Sequence, residues 1–117
     1  MKILAVDDEP ALLGAFKEML NIFGDKIDTA ENSNTAIQML DNNPYDLIFI
    51  DYNLPDKSGL ELLKYIRKQN PTAKVVMLTG CQFMKEDIAR FAGVDDYLQK
   101  PFEAARVIRI INKYRKE

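Results

Sequence analysis

Three aspartates, one threonine and one lysine stand directly after short apolar or strand-like runs in this chain. Asp7 and Asp8 follow residues 3–6, Asp51 follows 47–50, Thr79 follows 75–78, and Lys100 follows 96–99. Three carboxylates within a few ångströms of one another repel, and at least one takes up a proton unless cations intervene. Lys100 supplies one positive charge. A hard divalent cation would supply the rest, and all-oxygen ligation favours Mg2+, Mn2+ or Ca2+ over Zn2+. Mg2+ suits the set best, because it accepts few protein ligands and keeps several waters. Beside a phosphoryl group, Lys100, Thr79 and the metal are all suited to bind its oxygens, and one Asp is suited to be the nucleophile that forms an aspartyl phosphate.

Each residue also has an ordinary structural reading. Asp7 and Asp8 are good helix caps before Pro10. Asp51 before Tyr52-Asn53-Leu54-Pro55 suits a turn. Thr79 before Gly80 is common in loops, and a lone lysine is usually a solvated surface residue. The functional reading rests on their joint occurrence at four strand ends.

The elements that must bring them together are legible as a pattern. Residues 3–6, 47–50 and 75–78 are four-residue apolar runs, as expected of strands buried on both faces. Residues 27–30 and 96–99 are shorter or more polar strand candidates and suit sheet edges. Between them, Leu12, Phe16, Met19, Leu20 and Phe23 mark one face of a helix opened by Pro10 and stopped by Gly24. A second helix spans 34–41. Ser58 caps a third, with Leu60, Leu63 and Ile66 inward. A fourth spans 85–91 and ends at Gly93. Ala104, Val107, Ile108 and Ile111 mark the last. Five β-α repeats call for a parallel sheet with right-handed crossovers. Placing the weak strands outermost predicts an α/β, flavodoxin-like (βα)5 doubly wound fold, with strand order 2-1-3-4-5 and a site at the carboxyl ends of the strands.

Composition narrows the classes. The 117 residues suit one domain, 1–117, and are 47% hydrophobic, enough for a core. Residues 1–56 hold eleven acids and three bases; residues 57–117 hold seven acids and thirteen bases. The net charge of −2 argues against a general nucleic-acid binder. The absence of histidine excludes a histidine base, a histidine-ligated metal and a phosphohistidine carrier within these residues. The single cysteine, Cys81, excludes an internal disulfide and reads as a packed thiol. No apolar stretch reaches membrane-spanning length, and the first apolar run is too short for a signal peptide, so a cytoplasmic protein is expected.

Four motifs occur in order: Val6-Asp7-Asp8-Glu9, Asp51-Tyr52-Asn53-Leu54-Pro55-Asp56-Lys57-Ser58-Gly59, Met77-Leu78-Thr79-Gly80, and Asp96-Tyr97-Leu98-Gln99-Lys100-Pro101-Phe102. On these the chain resembles, along its whole length, the receiver (phosphoacceptor) domain of bacterial response regulators in two-component signalling, including the single-domain chemotaxis and sporulation types. The resemblance implies that Asp51 is the phosphoacceptor. It implies that Asp8 binds Mg2+ directly, Asp7 largely through water, and Asn53 through its backbone carbonyl. Lys100 would pair with the acceptor carboxylate and then with the phosphoryl group. Thr79 would bond a phosphoryl oxygen and move on activation, Tyr97 would be the aromatic switch that follows it, and Lys100-Pro101 would be a cis peptide. The implied donor is a histidine kinase or histidine phosphotransfer protein.

The output is expected, by the same resemblance, from the surface of the fourth helix, fifth strand and last helix, about Asp87, Arg90, Asp95, Asp96, Tyr97, Arg106 and Arg109. It would act on a downstream protein or an attached effector domain, without direct nucleic-acid binding or membrane contact by this domain. Asp95-Asp96-Tyr97 is similar to the winged-helix transcription-factor subfamily, but Arg106 and Ile110 depart from that subfamily's dimer face. Arg106, Arg109, Lys113, Arg115 and Lys116 read as a solvated basic face. A stand-alone regulator and the receiver portion of a longer one both remain open. Among other classes, a haloacid-dehalogenase-like phosphatase would need a second Asp where Asn53 stands, and a flavin module would need a phosphate loop where Asp7-Asp8-Glu9-Pro10 would repel phosphate. The remaining alternative is a degenerate receiver kept as a phosphorylation-independent interaction module.

Overall fold

The computed structural model describes residues 1–21, 24–80 and 93–115. It contains strands β1 (Lys2–Val6), β2 (Lys26–Ala30), β3 (Leu47–Asp51), β4 (Lys74–Thr79) and β5 (Asp96–Gln99). The described helices are α1 (Pro10–Asn21), α2 (Ser33–Asn42), α3 (Gly59–Gln69) and α4 (Ala104–Arg115), the last being the final helix of the sequence reading. The helix expected over 85–91, with Asp87 and Arg90, lies outside the described residues, as do Phe23, Cys81 and Lys116.

All five strands pair in parallel in the order β2-β1-β3-β4-β5, the doubly wound, flavodoxin-like sheet expected. Side chains alternate along each strand, so one sheet has two cores. Ile3, Ala5, Leu47, Phe49, Val76, Leu78 and Leu98 face α1 and α4; Leu4, Val6, Ile48, Ile50, Val75 and Met77 face α2 and α3. Every residue of β3 is buried, which is why residues 47–50 are apolar without alternation. The edge strands β2 and β5 are partly exposed and more polar, as anticipated.

Helix ends follow local chemistry. Ser58 caps α3 by accepting from the Glu61 N–H, and Gly24 follows α1 with a positive φ of 75° that suits glycine. The start of α2 differs from the expectation: Asn32 is its cap, accepting from the Thr35 N–H at 2.8 Å, and Ser33 is its first residue.

Three helix faces are turned slightly from the expected ones. In α1 the buried residues are Leu13, Phe16 and Leu20, with Leu12 and Met19 at the margin. In α3 they are Leu62, Leu63 and Ile66, with Leu60 partly covered. In α4, Ile110 and Tyr114 join Val107 and Ile111, while Ile108 is only partly buried. Adjacent apolar residues leave the stripe centre undefined, and packing on the sheet selects it. Arg115 also departs from the solvated face: it pairs at 2.6 Å with Asp25, whose side chain is 3% exposed and also meets the Met1 amine at 3.5 Å.

Phe16 is fully buried between Phe49 and Phe102, at ring-centroid distances of 5.1 and 6.0 Å. Phe16→Ala is expected to lower unfolding free energy by about 3–5 kcal/mol, measured by urea denaturation.

Candidate functional site

A parallel sheet ends all its strands on one edge, and here that edge carries the chemistry. Val6 is level with Ile50, Asp51 with Leu78, and Thr79 with Gln99. Asp7 directly follows β1; its N–H donates to the Ala30 carbonyl at 3.1 Å and its Oδ1 accepts from the Glu9 N–H at 2.9 Å. Its side chain is fully buried, whereas Asp8 is exposed. Asp51 ends β3, is 7% exposed, and accepts through Oδ1 from the Asn53 N–H at 3.2 Å. A carboxylate oxygen from each of Asp7, Asp8 and Asp51 lies within 4.8 Å of the other two.

Lys100 enters this group from the far side of the sheet. Its backbone N–H donates to the Thr79 carbonyl at 2.7 Å, and the Lys100-Pro101 bond is cis, as the resemblance implied. Its ammonium lies 2.7 Å from Asp7 Oδ2, 3.2 Å from Glu9 Oε1 and 3.4 Å from Asp51 Oδ2. Thr79 is buried, and its hydroxyl donates to the Leu98 carbonyl at 3.5 Å rather than to the acids. Tyr97 is half-buried on the α2/α3 side of the sheet, level with Met77 and thus on the face that Thr79 shares by alternation.

Burial, then the neighbouring Asp7 charge, pushes the Asp51 carboxyl above the usual carboxylate range, and Lys100 only partly offsets this. Burial by itself would lower the Lys100 pKa, but the charges of Asp7, Asp51 and Glu9 outweigh it and raise the group. Asp7 Oδ2 is buried and has the Lys100 ammonium at 2.7 Å as its ion-pair partner. Three clustered carboxylates, two of them buried, are not neutralised by one ammonium, and such a set fits a hard divalent cation, whose ligands are oxygens.

Three residues at the site were not assigned roles from the sequence. Glu9 contacts Lys100, and only its position two residues after Asp7 hinted at it. Gly59 lies under Asp51: a Cβ there would strike the Asp51 backbone oxygen and stand 2.9 Å from the Tyr52 Cα. A glycine directly after the Ser58 cap was the available signal. Asp56 bonds to α2, and no local pattern predicts that contact. Beside the acids opens a groove of about 600 Å³, bordered by Leu12, Ala15, Lys100, Pro101 and Phe102. On the expected output face, Asp96 pairs with Lys113 at 3.4 Å, while Asp95 is held by Arg67 at 2.6 Å and by the Val75 N–H at 2.8 Å.

Residues 3–112 match the family model described as the response regulator receiver domain. The chain belongs to that family. It is 36% identical over 116 residues to the sensory transduction protein LytR of Staphylococcus epidermidis, covering 97% of this chain and 45% of that protein. It is 37% identical over 107 residues to the probable transcriptional regulatory protein TcrX of Mycobacterium tuberculosis, covering 91% of this chain and 46% of that protein. The receiver domain thus spans about half the length of these curated relatives. Among solved structures, a two-component response regulator from Clostridium difficile superposes with a TM-score of 0.93 at 30% identity, covering 100% of this chain and 97% of that one. The response regulator TrrA of Thermotoga maritima, solved in complex with Mg2+ and BeF, gives a TM-score of 0.85 at 34% identity, covering 97% of each chain. No described helix of this receiver domain is long and apolar enough to cross a membrane.

The charged form of Asp51 is disfavoured in the folded state, so its ionisation lowers stability as pH rises above the unfolded value of about 4. Asp51→Asn is therefore expected to raise the melting temperature of the metal-free receiver domain at pH 7. The gain should shrink toward zero below about pH 4, where wild-type Asp51 is neutral as well. A pH series of thermal melts on both proteins checks it.

Proposed function

We propose that this receiver domain is a phosphorylation-dependent signalling switch, in which Asp51 accepts a phosphoryl group, with Mg2+, from the phosphohistidine of a histidine kinase or histidine phosphotransfer protein. The observation that carries the reading is the cluster of Asp7, Asp8 and Asp51 oxygens within 4.8 Å, with the Lys100 ammonium 3.4 Å from Asp51. The donor histidine lies outside these 117 residues, which contain none.

In this reading an Asp51 carboxylate oxygen attacks phosphorus in line. A P–O bond forms, the P–N bond to the donor imidazole breaks, and that nitrogen takes the electron pair. Asp8, Asp51 and the Asn53 carbonyl would hold Mg2+, and Asp7, whose Oδ1 already accepts from the Glu9 N–H, would act largely through water. The bound ion would neutralise carboxylate and phosphoryl charge. Lys100 pairs with the acceptor carboxylate first and with phosphoryl oxygens afterwards. The groove along Leu12, Ala15, Pro101 and Phe102 offers the donor an apolar platform beside Lys100. The domain turns over no separate substrate; it catalyses its own phosphorylation from the donor and the slow hydrolysis of its acyl phosphate.

Thr79 then bonds a phosphoryl oxygen, and Tyr97 follows it. Their placement on one face of neighbouring strands supports this coupling. The output passes through residues 85–91, β5 and α4, including Asp96, Tyr97, Arg106 and Arg109, to a downstream protein or an attached effector domain. The greater length of the curated relatives supports an attached effector. Residues 1–117 act as a single cytoplasmic receiver unit that contacts neither nucleic acid nor membrane directly.

Incubation with acetyl phosphate and Mg2+ is expected to add one phosphoryl group by intact mass, and none without Mg2+ or in Asp51→Asn. Labelling that persists in Asp51→Asn would overturn the acceptor assignment. No labelling of the wild type, with beryllofluoride also failing to bind, would overturn the phosphorylation reading and favour the degenerate receiver kept as an interaction module.

A further inference from the structure

The loop between β3 and α3 has a root and a tip. At the root, Asn53 and Ser58 form an antiparallel bridge, the Tyr52 N–H donates to the Leu78 carbonyl at 2.9 Å, and the Gly59 N–H to the Tyr52 carbonyl at 2.7 Å. At the tip, Asp56 reaches a different element. Its Oδ1 accepts from the Ser33 N–H and its Oδ2 from the Asn34 N–H, both at 2.9 Å, and Oδ1 also accepts from the Lys57 N–H at 2.9 Å. The Ser33 hydroxyl returns a long contact of 3.5 Å to the Lys57 carbonyl.

The first turn of α2 is a natural anchor for this carboxylate. Helix N-termini leave N–H groups unsatisfied and carry partial positive charge. The first turn of α2 contains no acid of its own, and its cap Asn32 serves the Thr35 N–H, leaving Ser33 and Asn34 to Asp56. Slight burial works against the Asp56 anion, but the backbone N–H donors outweigh it and hold its pKa below the usual carboxylate value.

We propose that Asp56 is a positioning residue for the metal: by tying the tip of the β3–α3 loop to α2, it fixes the loop that carries the Asn53 carbonyl beside Asp51. The inference rests on the functional reading above. The loop is then held at both ends, at its root by β4 and α3 and at its tip by α2. Releasing the tip would leave the three carboxylates in place, but the Asn53 backbone would then be held by the root contacts alone. Groups that orient metal ligands without touching the metal strongly affect affinity.

The test is a Mg2+ titration of the purified protein, followed by the amide chemical shifts of residues 51–53. Asp56→Ala is expected to weaken Mg2+ binding about tenfold, the low end for a residue acting through a ligand. Asp56→Asn keeps one acceptor oxygen and should fall between it and wild type; it also supplies the answer if Asp56→Ala does not fold. Asn32→Ala removes the local cap of α2 and is expected to lower the melting temperature while leaving Mg2+ affinity unchanged. Wild-type affinity in both Asp56 variants would overturn the proposal, as would an equal loss in Asn32→Ala, because the effect would then belong to α2 stability. A wild-type protein that does not bind Mg2+ would overturn the functional reading, and this proposal with it.

Discussion

Like-charge repulsion between Asp7 and Asp51 is the constraint around which the carboxyl edge of the sheet is organised. Neighbouring parallel strands lie about 4.8 Å apart, so two strands that each end in an aspartate set two carboxylates side by side. Both are buried here, which removes the water that would otherwise screen them. Burial first and the Asp7 charge second raise the pKa of Asp51, and the raised pKa of Lys100 is the complementary response of the nearby cation. One ammonium does not neutralise Asp7, Glu9 and Asp51 together, so the pocket retains an unmet demand for positive charge. That demand is what suits it to a divalent ion.

The rest of the fold keeps this costly arrangement in place. The two cores grip the sheet from both sides, so β1, β3 and β4 have little freedom to separate their ends. Close contacts refine the geometry. Gly59 lets α3 start directly beneath Asp51, where any larger residue would collide with backbone. At the opposite edge, Asp25 joins the start of β2 to the end of α4 through Arg115. Arg67 bridges α3 to Asp95 and to the Gly93 and Ala73 carbonyls, fixing the chain as it enters β5.

The strands were legible because burial on two faces demands unbroken apolar residues, as in 47–50 and 75–78. The helix positions were legible from periodicity, but not their exact rotation. Leu12 and Leu13 are chemically equal, and only the Phe16–Phe49 contact and its neighbours place Leu13 inward. The acidic cluster was legible because its members stand at strand ends, where topology fixes their meeting. Asp56 was not: its partners Ser33 and Asn34 lie on another element, and an Asp after Pro55 is equally good turn chemistry.

The sequence by itself determined the parallel sheet, its strand order and the convergence of Asp7, Asp8, Asp51, Thr79 and Lys100 on one edge. Those follow from burial patterns and connection rules, which depend on residue type and order alone. Only the tertiary structure decided that Asp7 is buried while Asp8 is exposed, that Lys100 lies nearer Asp7 than Asp51, and that Asp56 binds α2. These are matters of side-chain direction and distance through space. Spacing along the chain does not encode them, and they appear only when the packed elements leave each charge one place to go.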